Sequence, residues 1–155
     1  LDRLGVSIRV NPQKGYSATF EILDATKAPT VSLTDENKKM VFSRFGNRYR
    51  AAGMAEMAGY DKTIDPIRCN AIKRRVETLF PDAFNIETAT YWAGLRPATP
   101  TNVPLIGATA IPGLYLNTGH GTLGWTLSCG SARLLTALIN RDIPPVNPEY
   151  YAPAA

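Results

Sequence analysis

The stretch "YLNTGHGTLGWTLSCG", residues 115–130, sets Gly119-x-Gly121-x-x-Gly124 between an apolar run and a helix-forming segment. The spacing alone is weak evidence, and its surroundings decide what it can be. It forms a dinucleotide-binding turn only at the head of a strand–helix–strand unit, where a pyrophosphate meets the helix N-terminus and an acidic residue about 20 positions later holds the ribose. Asp142 stands near that distance, but Pro144-Pro145 follow and no second parallel strand comes after them. A pyrophosphate-gripping turn is therefore rejected on context. What survives is a glycine-lined turn opening a helix, whose first amides lack internal partners and carry partial positive charge, so that an anionic or carbonyl-bearing ligand can approach. By itself this is balanced by a plainer reading, a tight turn before a core helix. The small run Ser128, Cys129, Gly130, Ser131, Ala132 would let the helix pack closely on a neighbour.

With 155 residues, 45% hydrophobic and 19% charged, the chain falls in the soluble globular class, as one domain or a large piece of one. No apolar run approaches the length of a bilayer span, and the opening "LDRLGVSIRV" lacks the pattern of a secretion signal, so no address is expected. The net charge of +4 is spread along the chain except for Lys73-Arg74-Arg75, which sits inside a predicted helix. A solvated helix face is favoured there over a nucleic-acid patch, and no nucleic-acid partner is expected. Cys69 and Cys129 stand outside any CxxC or Cys/His spacing, which removes the usual argument for a metal and leaves two packing residues in a reducing compartment.

The first half reads as strands. "YSATFEI" alternates apolar and polar residues after interruptions at Pro12 and Gly15, and Gly46-Asn47 between "MVFSRF" and "RYRAAGMAEM" signals a hairpin. Asp65-Pro66 announces a helix with Ile72, Val76, Leu79 and Phe80 on one face, stopped by Pro81. The strand "IETATYWAGLR" follows, then the loop "PATPTNVP", a short strand "LIGA", a turn at Pro112-Gly113 and the strand "LYLNTG". From Thr122 onward, Leu127, Leu134, Leu135, Leu138 and Ile139 describe an amphipathic helix. The expected class is α+β: a mainly antiparallel sheet with a flanking helix over residues 1–92, then a C-terminal strand and helix over 93–155.

Two of these segments together, "TYWAGLRPATPTNVPLIG" and "PGLYLNTGHGTLGWTLSCGSARLLTALI", resemble the C-terminal part of flavin-dependent amine and amino-acid oxidoreductases of the D-amino-acid oxidase, glycine oxidase and sarcosine oxidase superfamily. "PQKGYSATF" and "SRFGNRYRAAGMAEMAGYD" narrow the likeness to the small subunits of D-amino-acid dehydrogenases, over roughly residues 5–143.

That resemblance implies FAD as cofactor and oxidative deamination of D-amino acids to 2-oxo acids and ammonia, by hydride transfer to flavin N5. It gives Arg96, the arginine of Gly-Leu-Arg-Pro, the substrate carboxylate: a planar guanidinium can meet both oxygens and takes no part in proton transfer. It sets Gly119, His120, Gly121, Thr122, Leu123 and Gly124 against the pyrimidine end of the isoalloxazine ring, where their main-chain amides face the charge that accumulates on reduction. His120 is the single histidine of the chain, and in a glycine turn it is read as a main-chain contact in preference to a proton-transfer catalyst. Lys14 and Gly15 match a strand near the flavin, and Tyr16, Met54 and Glu56 match positions facing substrate. Trp92 and Tyr91 are expected in the core.

Relatives also carry an N-terminal FAD-binding Rossmann-like half, so the chain is expected to be a fragment lacking that half, inactive and without FAD by itself. A docking surface left exposed would promote self-association. An electron acceptor such as a quinone is implied, with a location in the cytoplasm or at the inner face of a bacterial inner membrane. Glycine or sarcosine oxidases and tRNA-modifying FAD oxidoreductases are the alternatives within the superfamily. A basic α+β binding module is the alternative outside it.

Overall fold

Tyr16, Ala18 and Phe20 alternate along one face of a strand and are buried, while Tyr49 and Ala51 do the same on its neighbour. These apolar positions, two residues apart, need a cover, and a helix supplies it. In the computed structural model, which describes residues 1–153, the chain forms two compact units. One is residues 14–95; the other joins residues 1–13 to the segment from Arg96 onward.

The 14–95 unit is built on β1 (Asn11–Ile22), β2 (Leu33–Asp35), β3 (Met40–Phe45), β4 (Arg48–Glu56) and β5 (Phe84–Ala98), in sheet order β2-β3-β4-β1-β5. The first three pairings along this order are antiparallel. Phe45 opposite Arg48 closes the hairpin at Gly46-Asn47, where Gly46 takes a φ of +61°. Pro12 and Gly15 lie within β1, whereas residues 6–10 carry no regular element.

Between β4 and β5 runs α1 (Pro66–Leu79), capped by Asp65, whose side chain accepts from the Ile67 amide at 2.8 Å with proline at the first turn. Cys69, Ile72 and Val76 are its buried positions. Phe80 ends the helix and sets its ring edge-on against Phe42, Tyr49 and Phe84, completing an aromatic core in which Tyr49 and Phe84 stack at 4.6 Å. Leu79, expected on the same face, is exposed at its rim. Trp92 corrects the expectation of a core residue: it is 62% exposed. Successive strand residues point to opposite faces, so once Tyr91 packs on the core its neighbour cannot.

In the other unit, β6 (Leu105–Ala108) and β7 (Tyr115–Thr118) form an antiparallel hairpin, followed by α2 (Gly124–Asn140). Ile106, Leu116, Leu134 and Ala137 are buried there. Leu135 and Leu138 are half-buried, while Leu127 and Ile139, placed on the same apolar face by their spacing, are exposed. Cys129 is also exposed, against expectation, because residues 122–130 at the start of α2 are solvent-facing throughout. The two final residues of the 93–155 segment lie outside the described residues.

Candidate functional site

The glycine turn follows a strand that is antiparallel to its partner, so the surroundings of Gly119-x-Gly121-x-x-Gly124 are a hairpin and a helix, not a strand–helix–strand unit. Local geometry explains two of the glycines. Gly119 has a φ of +82°, and a Cβ built on it would lie 2.6 Å from Thr99 Cγ2. Gly121 has a φ of +53° with open space beside it, so its demand is purely conformational.

The turn is tied to the strand end that carries Arg96. Gly121 donates its amide to the Pro97 carbonyl at 2.8 Å, and Ala98 and His120 form an antiparallel bridge. The loop after that strand folds back on itself, with Thr99 Oγ1 donating to the Val103 carbonyl at 2.9 Å. Arg96 is half-buried, and loss of water pulls its guanidinium below the usual value. Arginine titrates so high that it remains a cation.

Two of the expected amides are committed within the protein: that of Gly121 to Pro97, and that of Leu123 to the His120 carbonyl at 2.9 Å. Leu123 is the N-cap of α2 and makes no side-chain capping bond, so the positive end of a 17-residue helix opens without a side-chain acceptor. His120 Nε2 lies 2.9 Å from Ser131 Oγ on α2. Ser131 was legible only as part of a run of small packing residues.

In the 14–95 unit the remaining candidates gather around an ion-pair network. Lys14 is 2% exposed, and its ammonium lies 3.2 Å from Asp61 Oδ2 and 3.8 Å from Glu56 Oε2. Burial works to lower the Lys14 value, but hydrogen bonds with Tyr16 and Asp61 outweigh it and the net direction is up. Tyr16 OH donates to Glu56 Oε2 at 2.6 Å, and burial first, then this bond, pushes the phenol up. Arg68 Nε on α1 completes the cluster at 3.1 Å from Glu56.

The strand register accounts for this gathering. Lys14 pairs with Glu56 but Tyr16 with Gly53, so β4 carries one extra residue opposite Gly15. The bulge puts Met54 at a φ of +67° and turns Glu56 to the same face as Lys14 and Tyr16. Met54 packs on the core and lines a cleft of about 530 Å³ with Met40, Ile67, Ala71 and basic side chains of α1. Tyr16, Glu56 and Lys14 thus spend their polar atoms chiefly on one another and on Asp61 and Arg68. Asp61 and Arg68 had no motif to single them out in the sequence. In Lys73-Arg74-Arg75, Lys73 is held by Glu87 at 2.7 Å and Arg75 by Asp35, which supports a structural helix face.

A family model described as FAD dependent oxidoreductase (DAO) matches residues 1–138. The chain is 53% identical over 147 residues to a D-amino acid dehydrogenase of Dechloromonas aromatica, covering 95% of this chain and 35% of that protein. It is 53% identical over 137 residues to a D-amino acid dehydrogenase of Paramagnetospirillum magneticum, covering 88% of this chain and 32% of that protein. The chain therefore spans about a third of the length of these curated relatives. Among solved structures, glycine oxidase from Geobacillus kaustophilus superposes with a TM-score of 0.85 at 23% identity, over 99% of this chain and 41% of that one. Iminodiacetate oxidase from Chelativorans sp. BNC1 gives 0.82 at 22% identity, over 98% and 42%. At these identities the structures speak for the fold.

Proposed function

The chain belongs to the FAD dependent oxidoreductase (DAO) family, and from that premise we propose that it forms the substrate-side and flavin-contacting portion of an enzyme that oxidatively deaminates D-amino acids to 2-oxo acids and ammonia. The observation that carries the reading is the bond from Gly121 to the Pro97 carbonyl, together with the Ala98–His120 bridge. These join the strand end bearing a carboxylate-binding cation to a turn suited to a flat, carbonyl-bearing ring.

The turn fits the pyrimidine end of a flavin on three counts: side-chain-free positions at Gly119, Gly121 and Gly124, a left-handed backbone at the first two, and an uncapped helix start behind them. Within Gly119 to Gly124, the positions whose amides are not spent on Pro97 and His120 would hold that end. When bound, the flavin supplies the two-electron acceptor for the hydride that leaves the substrate α-carbon.

Arg96 binds the substrate carboxylate through paired, charge-assisted hydrogen bonds and so sets the direction of the Cα–H bond. The substrate amine, bound neutral, forms the C=N bond with its lone pair as the hydride departs, so no side chain has to accept a proton in that step. Water then hydrolyses the imino acid. The opening of α2 places positive potential where negative charge develops. The Lys14–Tyr16–Glu56 network braces the sheet of the 14–95 unit.

The remaining two thirds of a full-length protein would supply the adenosine and pyrophosphate site and dock on the exposed start of α2, where Trp125 is 94% exposed. Self-association through that surface is the proposed behaviour of the chain alone. A quinone is the proposed electron acceptor, met at the inner face of a bacterial inner membrane.

The test is Arg96→Ala in the full-length protein. Flavin content should stay at the wild-type level while kcat/KM for D-alanine falls about 100-fold, the scale of a lost charge-assisted pair. Wild-type kinetics in that variant would remove Arg96 from the substrate site.

A further inference from the structure

Ser131 sits on α2 and is buried, with its hydroxyl between two partners. Its Oγ lies 2.8 Å from the Leu127 carbonyl oxygen and 2.9 Å from His120 Nε2. A serine hydroxyl has one hydrogen. Two oxygens at 2.8 Å repel unless a hydrogen lies between them, so that hydrogen is committed to Leu127. Only lone pairs remain on Oγ for the imidazole, and the hydrogen of the second bond has to come from Nε2.

We propose that Ser131 is a positioning residue for the flavin-contacting turn: it holds neutral His120 in the Nε2–H form, clips the turn to α2, and leaves Nδ1 as a hydrogen-bond acceptor. The backbone agrees. His120 is anchored on one side by its bridge to Ala98 and on the other by its carbonyl, which accepts from Leu123, so the ring clip fixes the last freedom of a residue already held at its main chain. A neutral histidine in this form can receive a hydrogen bond or a proton at Nδ1 and cannot give one there. Ligand groups that suit it are N–H donors, such as an imide nitrogen flanked by carbonyls.

The functional meaning rests on reading the turn as the flavin contact, whereas the tautomer can be measured independently of it. His120 is the single histidine, so a nitrogen-15 imidazole correlation spectrum of the 155-residue chain, taken on the basic limb of its pH titration where the ring is neutral, contains one ring. The wild type should show a protonated, pyrrole-type Nε2 and a pyridine-type Nδ1. Ser131→Thr, which keeps the hydroxyl, should preserve that pattern, and Ser131→Ala should replace it with tautomer averaging. A pyrrole-type Nδ1 in the wild type, or an alanine variant indistinguishable from it, overturns the assignment; if the alanine variant does not fold, the wild-type and threonine spectra still decide. In the full-length protein, Ser131→Ala should lower kcat about tenfold through a misplaced turn and leave the KM for D-alanine unchanged. An unchanged kcat overturns the positioning role. Failure of the Arg96 reading would show instead in the Arg96→Ala kinetics and leave the imidazole spectrum as it is.

Discussion

Gly119 approaches Thr99 so closely that the smallest side chain would place its Cβ 2.6 Å from Thr99 Cγ2, in a backbone conformation of φ +82°. Two independent constraints therefore exclude a Cβ where the turn meets the strand end that carries Arg96.

Gly119→Ala combines a left-handed alanine with a steric overlap and should destabilise the chain by about 2–3 kcal/mol. Gly121→Ala has open space and only the conformational term, about 1 kcal/mol. Urea unfolding of the two variants checks the order. Equal losses would mean that the Thr99 contact relaxes freely.

Arg96→Lys keeps the charge and loses the planar fork. In the full-length enzyme it should restore little of the activity lost in Arg96→Ala, remaining about tenfold or more below wild type in kcat/KM. Steady-state kinetics with D-alanine provides the measurement, and a lysine variant at wild-type efficiency would reduce the role of Arg96 to a point charge.

Asp61 gives the chain an acid-sensitive tie. Hydrogen bonds from Thr63, then from Lys14, hold its carboxyl down from 3.8 to about 2. A depressed folded value means that the carboxylate stabilises the fold above its unfolded value and that this contribution disappears as pH falls through the folded one. The stability difference between wild type and Asp61→Asn should therefore be constant near neutrality and shrink from about pH 4 to pH 2. Denaturant melts at several pH values test it; a difference that persists at pH 2 would separate Asp61 from the tie.

Tyr49 is fully buried, and its hydroxyl has no hydrogen-bond partner among the described residues. Burial alone pushes the phenol up. Tyr49→Phe keeps the ring stacked on Phe84 while removing an unsatisfied polar atom, so it should be neutral or stabilising by about 1 kcal/mol. Loss of stability in a thermal melt would show that the hydroxyl has a partner in solution.

Local chemistry alone made several features legible. Asp65-Pro66 specifies a helix start because capping and a fixed φ act within a few residues, and Gly46-Asn47 specifies its hairpin for the same reason. The glycine turn stood out by its spacing, and Arg96 through the family resemblance of Gly-Leu-Arg-Pro. The Lys14–Glu56–Asp61–Arg68 network was invisible, because it depends on a one-residue register shift in β4 that brings together groups 40 and more positions apart.

Sequence by itself therefore determined the elements and the turn, which are governed by short-range sterics and hydrogen bonding, while Arg96 came forward only through the resemblance of its motif. Tertiary structure alone decided which amides the protein consumes, which face Tyr16 and Glu56 occupy, and which nitrogen of His120 meets Ser131. Each of these depends on a partner distant along the chain, and a hydrogen bond has no direction until both of its ends have a place in space.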